Sequence, residues 1–97
     1  MSLVMLLKTK VRHENIEKLA ELRSKFNEVY ADHGIEVLGH YNRIDKPTTT
    51  YTMIRYEDEA DYNEKVAKLR ADERYVNLSK ELHSIRKDFK MKRLTPA

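Results

Sequence analysis

Five successive apolar residues, Leu3 to Leu7, constrain this chain more than any other feature. Side chains of a strand alternate between two faces, so an unbroken apolar run predicts a strand that is covered on both sides. The run is far shorter than the roughly 20 residues that a membrane span needs, and it lacks the basic flank of a secretion signal. We therefore expect a buried strand over Leu3–Thr9, no membrane interaction and residence in the cytoplasm.

Alternating helix and strand patterns follow this strand. Apolar residues at spacings of three and four predict helices, and stretches rich in Thr, Tyr and Ile predict strands. The predicted elements are a helix over His13–His33, a hairpin of strands Ile35–Arg43 and Thr49–Tyr56, helices from Asp58 to about Ala71 and from Asp72 through Ile85, and a strand over Asp88–Leu94. This β-α-β-β-α-α-β order is the ferredoxin-like plan, an α+β sandwich whose helices cover one face of a four-stranded antiparallel sheet.

Polar residues and a glycine mark the predicted helix ends. Asn15, Asp58 and Asp72 each precede a helical pattern, where a short polar side chain can accept a hydrogen bond from the first turn. Gly34 follows the first helix, at the position where a left-handed residue commonly ends a helix. These signals support three separate helices.

Composition excludes several classes of site. A chain of 97 residues has room for one core, so we expect a single domain over residues 1–97. The absence of cysteine excludes a disulfide scaffold, a thiolate metal site and a thiol nucleophile. Two glycines cannot form a phosphate-binding loop or a nucleophile elbow. The four histidines lack the spacing of a zinc-binding helix, so we expect neither a metal nor another cofactor.

The second face of the predicted sheet indicates a partner. Helices cover only one face in the ferredoxin-like plan, yet the first strand offers apolar residues to both faces. We expect the interface to include Leu3, Met5, Leu7 and Leu38, with Ile54 on the same open side. Each apolar side chain removed from water contributes about 1.5–3 kcal/mol, so five or six per subunit suffice for pairing. We therefore expect a homodimer in which two sheets pack face to face.

Four short motifs resemble the NIPSNAP family. They are HGIEVLGHY (33–41), IRYEDEADY (54–62), ADERYVNL (71–78) and RLTP (93–96), and together they extend over nearly the whole chain. The resemblance implies a dimeric α/β barrel. It does not imply one reaction, because the wider fold relatives include small monooxygenases, haem-degrading enzymes, lactone isomerases and stress-response proteins. The opening strand departs from the family pattern Tyr-Glu-Leu-Arg, which is replaced by Val4–Leu7.

Four residues of the predicted hairpin are candidates for a ligand site. They are His40, Thr52, Ile54 and Tyr56, which we expect to line a mostly apolar pocket with a few polar tips. His40 is the best candidate for a catalytic residue, because imidazole can act as a general base near neutral pH. The alternative is structural, with His40 at an interface and the other three residues serving as ordinary strand formers.

Three functions remain open from the sequence. The first is binding of a small, largely apolar molecule, between helix and sheet or inside the dimeric barrel, with or without cofactor-free oxygenase or isomerase chemistry. The second is a non-enzymatic dimerisation or stress-response module. The third is nucleic-acid binding by the basic cluster within Lys80–Arg93. The first strand lacks the base-stacking aromatic residues of an RNA-recognition sheet, so we expect no nucleic-acid partner.

Overall fold

The computed structural model describes residues 2–97 of the chain. The elements in chain order are β1 (Leu3–Val11), a short 3-10 helix (His13–Asn15), α1 (Ile16–Asp32), β2 (Glu36–Asn42), β3 (Thr49–Tyr56), α2 (Glu59–Arg70), α3 (Glu73–Ile85) and β4 (Arg86–Leu94). The strands form one antiparallel sheet in the order β2-β3-β1-β4. The predicted ferredoxin-like α+β fold is therefore confirmed.

Two predicted boundaries at the start of the chain are wrong. β1 continues past Thr9 to Val11, because β4 still pairs with it at that residue. The predicted first helix begins instead as a 3-10 helix, and its α-helical part starts at Ile16. The side chain of Asn15 makes no capping hydrogen bond, so the expected cap is absent.

The other predicted helix ends are confirmed. The backbone N–H of Asp61 donates to the carboxylate of Asp58 at 2.7 Å, and that of Arg74 donates to Asp72 at 2.9 Å. Both caps satisfy N–H groups that a helix leaves without intrahelical partners. Gly34 ends α1 with a φ of +66°, a left-handed conformation that costs little only without a Cβ. The chain turns there and enters β2.

The core lies between the sheet and the helices. Its buried members are Met5, Leu22, Phe26, Val29, Tyr30, Ile35, Ile54, Tyr56, Leu69 and Leu78. The rings of Phe26, Tyr30 and Tyr75 cluster within it, with centroids 5.8 to 6.4 Å apart. The described chain is only 18 Å across in its thinnest direction, which leaves room for the sheet and one layer of helices. The second face of the sheet therefore has no cover from the described chain.

The assignment of β1 residues to the two faces differs from the prediction. Pairing with β3 places Met5 opposite Ile54, and both are buried under the helices, at 2% and 3% exposure. Leu3 and Leu7 lie on the same side and pack against the same core. The prediction that these residues form the open face is wrong, because alternation along β1 directs its odd-numbered residues toward the helices.

A β-bulge in β2 changes the faces of the hairpin as well. The pairing with β3 passes from Val37 to Gly39, so Leu38 has no partner of its own. Because of this extra residue, His40 shares the helix-facing side with Val37, whereas simple alternation predicts opposite sides. Leu38 is 42% exposed and is the most accessible of the four predicted interface residues.

The open face of the sheet carries a different apolar patch. Even-numbered residues of β1 and their neighbours on the adjacent strands point away from the helices. We name six of them the open-face patch: Val4, Leu6, Tyr41, Tyr51, Met53 and Leu94. All six are partly or largely exposed, and Tyr41 reaches 55%. β1 thus presents apolar side chains to both faces of the sheet.

The helices of the described chain are short. The longest, α1, has 17 residues. Within residues 2–97, no helix combines the length and the apolar character that a membrane crossing requires.

Candidate functional site

A cavity of about 380 Å³ opens between the sheet and the helices. We name it the main pocket. Its walls are mostly apolar and come from every strand and every α-helix; they include Leu7, Phe26, Val66, Tyr75, Leu82 and Met91. Pockets for small molecules have roughly this size, about 300–1,000 Å³, and this apolar character.

All four predicted ligand-site residues line the main pocket. Ile54 and Tyr56 are core residues, 3% and 4% exposed, so they form its floor. His40 and Thr52 are half-buried and present polar atoms to it. Of the two predicted locations, inside a barrel or between helix and sheet, the structure brings these residues together at the second.

His40 is held by two hydrogen bonds. Its Nε2 donates to Oδ1 of Asn27 at 3.0 Å, and the Thr52 hydroxyl donates to its Nδ1 at 2.8 Å. These partners assign the neutral tautomer that carries its hydrogen on Nε2, because an amide oxygen can only accept. Burial, assisted by the positive charge of Arg23, lowers the pKa of His40 from its ordinary value. The imidazole is therefore uncharged at neutral pH.

The lowered pKa of His40 predicts that acid weakens the fold. A histidine in the unfolded chain titrates near a pKa of about 6.5. As the pH falls below that value, the unfolded state gains a proton that folded His40 does not yet bind, so the free energy of unfolding decreases. We expect a midpoint below 6.5 in an NMR titration of the His40 ring, and lower stability at pH 5 than at pH 7.5. His40→Gln should reduce this pH dependence. A midpoint at or above 6.5 would contradict the burial argument.

Arg23 adds a positive charge to the same end of the main pocket. Its guanidinium donates to the Thr50 hydroxyl at 3.4 Å, and that hydroxyl donates to Oδ1 of Asn42 at 2.8 Å. Burial lowers the pKa of Arg23, yet a guanidinium remains charged at physiological pH. Arg23 lies one helical turn before Asn27, so the two side chains share one face of α1.

These contacts gather several polar groups at one place in a mostly apolar cavity, whose lining also includes Arg70 and Arg86. We name this place the polar end: Arg23, His40, Thr50 and Thr52 line the pocket there, and Asn27, which is not part of the lining, holds His40 by a hydrogen bond. Sequence reasoning missed Arg23 and Asn27, because polar residues within an amphipathic helix usually face solvent. Their four-residue spacing beside the apolar positions Leu22 and Phe26 is the signal that could have found them.

Two buried tyrosines complete the floor of the main pocket. Burial raises the pKa of both Tyr30 and Tyr56 far above the ordinary value for a phenol. Their hydroxyls therefore stay protonated and can donate a hydrogen bond, but they cannot serve as bases. Tyr56 also packs edge-on against Tyr62, with ring centroids 5.0 Å apart.

His33 lies outside the main pocket, and its side chain connects two helices through a contact with Asp72. Its Nε2 is 2.8 Å from Oδ2 of Asp72, so the end of α1 is linked to the cap of α3. Two hydrogen bonds lower the pKa of the Asp72 carboxyl: the larger effect comes from Arg74 and the smaller one from His33.

In the part of the chain that the structure describes, no three His, Cys, Asp or Glu side chains form a group that could hold a metal ion.

Comparison with known proteins gives different results for sequence and for structure. No family model matches the sequence, and no curated protein matches it. The fold matches the crystal structure of a NIPSNAP family protein from Agrobacterium tumefaciens with a TM-score of 0.88 and 18% identity, over 100% of this chain and 94% of that chain. The chain has the NIPSNAP fold.

Further structures support this result. An uncharacterized NIPSNAP domain protein from Burkholderia xenovorans matches with a TM-score of 0.87 and 11% identity, over 98% of this chain and 94% of that chain. This chain also resembles the crystal structure of an antibiotic biosynthesis monooxygenase, with a TM-score of 0.78 and 13% identity over 98% of each chain. The likeness to NIPSNAP structures expected from the four motifs is confirmed at the level of the fold.

Proposed function

We propose that this chain binds a small, largely apolar molecule in the main pocket. The observation that carries this proposal is a cavity of about 380 Å³ with mostly apolar walls and a small cluster of polar groups, the polar end. Apolar walls supply affinity by removing ligand surface from water, while a few fixed polar atoms orient the ligand. Two hydrogen bonds hold the ring of His40 in place, so it gives this end of the pocket a fixed shape.

Oxygenase or isomerase chemistry is a second candidate function. It is supported by the similarity of the fold to an antibiotic biosynthesis monooxygenase and by the neutral imidazole of His40. A neutral imidazole can accept a proton from a bound molecule. Nδ1 of His40 already accepts a hydrogen bond from Thr52, so a ligand reaches this nitrogen only after the Thr52 hydroxyl turns away. Binding is therefore the primary proposal, and turnover needs this additional rearrangement.

Filling the main pocket is expected to abolish binding of an apolar probe. Ser79 of α3 lines the pocket and is partly exposed, so Ser79→Phe adds a ring to the cavity. We expect the neutral fluorescent probe N-phenyl-1-naphthylamine to bind saturably to the unchanged protein. Ser79→Phe should weaken this binding at least about tenfold, which corresponds to about 1.4 kcal/mol. The measurement is a fluorescence titration.

A matched variant on the same helix controls this experiment. Ser84 is exposed and does not line the main pocket, so Ser84→Phe adds the same ring elsewhere and should leave probe binding unchanged. If the unchanged protein shows no saturable binding, or if Ser79→Phe binds the probe normally, the proposed function is wrong.

The open-face patch supports the predicted homodimer. Six adjacent apolar side chains on one uncovered sheet face are unusual for a monomer. A second copy is the natural occupant, because a two-fold axis brings the same patch from each subunit together. This preserves the expected packing of two sheets, but with Leu6 and Met53 at its centre in place of Met5 and Leu7.

Dimerisation through this face also serves the alternative function, a non-enzymatic assembly or stress-response module. Such a module does not need the main pocket, so failure of probe binding together with a stable dimer would favour it. Location in the cytoplasm stays a prediction from the sequence.

A further inference from the structure

The charges around the main pocket are strongly unbalanced. Its lining includes the three arginines Arg23, Arg70 and Arg86, and it includes no aspartate or glutamate. The chain as a whole is nearly balanced by contrast, with 16 acidic residues against 19 lysines and arginines. The pocket is therefore a positively charged environment with apolar walls, which attracts anions and repels cations.

The pocket arginines differ in their partners from four surface arginines of the chain, although the exposed Arg12 also has no ion pair within residues 2–97. On the outer surface, Arg43, Arg55, Arg74 and Arg93 each form an ion pair with a carboxylate. Among residues 2–97, no carboxylate lies within 4.0 Å of the guanidinium of Arg23, Arg70 or Arg86. Arg86 lies 4.3 Å from the ring centroid of Phe89, a contact that leaves its charge without an anion.

Arg23 is the pocket arginine best placed to hold a ligand. It belongs to the polar end, and its one side-chain hydrogen bond within the described chain is the 3.4 Å contact with Thr50. A guanidinium has five N–H donors in a planar fork that matches the two oxygens of a carboxylate. The Thr50 hydroxyl accepts from this fork and donates its own hydrogen to Asn42, so the remaining N–H groups of Arg23 are the donors available to a ligand.

We propose that the ligand is an apolar carboxylic acid, with its carboxylate on Arg23 and its hydrocarbon or aromatic body against Phe26 and Leu82. This inference rests on the proposed function, because it names the chemical class of the molecule in the main pocket. Charge-assisted hydrogen bonds are stronger than neutral ones, and the apolar surroundings reduce their competition with water. A neutral molecule of the same shape lacks this interaction.

The test compares two ligands that differ in charge but hardly in shape. 2-Naphthylacetate and 2-naphthylacetamide compete with N-phenyl-1-naphthylamine for the pocket, and fluorescence displacement gives both affinities. We expect the unchanged protein to prefer the carboxylate at least tenfold. Arg23→Gln should reduce this preference to about onefold while the neutral probe still binds, which also shows that the variant is folded. The matched control Arg12→Gln, at an exposed position outside the pocket, should retain the preference.

The outcomes separate this inference from the proposed function. Equal affinity for the two naphthyl ligands, with normal probe binding, would overturn the carboxylate inference and leave the pocket proposal intact. A preference that survives in Arg23→Gln would overturn the role of Arg23. Failure of the probe and of both ligands to bind would overturn the proposed function itself.

Discussion

Leu22→Ala is expected to lower the free energy of unfolding by about 3–5 kcal/mol. Leu22 is the largest fully buried side chain of the described chain, with 0% exposure, and it lies at the centre of the α1 face that packs on the sheet. Truncation removes its buried methyl groups from the core and leaves a void that the neighbouring side chains fill only in part. Domains of this size are stable by only about 5–15 kcal/mol, so the variant loses a large share of its stability.

Urea unfolding followed by circular dichroism measures this effect. Ile44 is fully exposed in the loop between β2 and β3, so Ile44→Ala is the control and should change stability by no more than about 0.5 kcal/mol. A loss for Leu22→Ala no greater than that of the control would show that α1 does not pack on the sheet as described.

Leu6→Glu is expected to convert a dimer into monomers. Leu6 stands between Met53 of β3 and Lys92 of β4 on the open face, so a dimer that packs sheet on sheet takes the new carboxylate out of water together with this lysine. The two-fold symmetry doubles this cost, because each dimer contains the change twice. Removing charged groups from water costs free energy even when they pair, and a total of about 3 kcal/mol already weakens association roughly a hundredfold.

Sedimentation equilibrium measures the change in oligomeric state. Val76→Glu introduces the same charge on the outer side of α3, where Val76 is 36% exposed, and should leave the dimer unchanged. Circular dichroism should show that both variants are folded, since Leu6 is partly exposed within a single subunit. A monomer in dilute solution of the unchanged protein would contradict the homodimer proposal.

The two proposed surfaces use opposite sides of the same strand. Met5 and Leu7 line the main pocket, while Val4 and Leu6 belong to the open-face patch. One layer of sheet therefore separates the proposed ligand site from the proposed dimer contact. Ser79→Phe, which fills the pocket, and Leu6→Glu, which disrupts the patch, change different faces of the sheet, so their effects should be independent.

Much of the architecture was predictable because its signals are local. The apolar spacing in α1, the caps at Asp58 and Asp72, and the left-handed Gly34 each depend on a few neighbouring residues. β3 occupies Thr49–Tyr56 as predicted, because its strand-forming residues are bounded by a proline-containing loop. The four candidate residues His40, Thr52, Ile54 and Tyr56 also meet at one site, because a hairpin pairs its own two strands.

The sequence alone thus determined the order of elements, the helix ends marked by Gly34, Asp58 and Asp72, and an opening strand with two apolar faces. Only the tertiary structure decided which apolar residues face the helices. Register arises from hydrogen bonds between strands far apart in sequence, and the extra residue Leu38 reverses the alternation within β2. Arg23 and Asn27 joined the site for a similar reason, because the packing of α1 on the sheet brings these helical residues to Thr50 and His40.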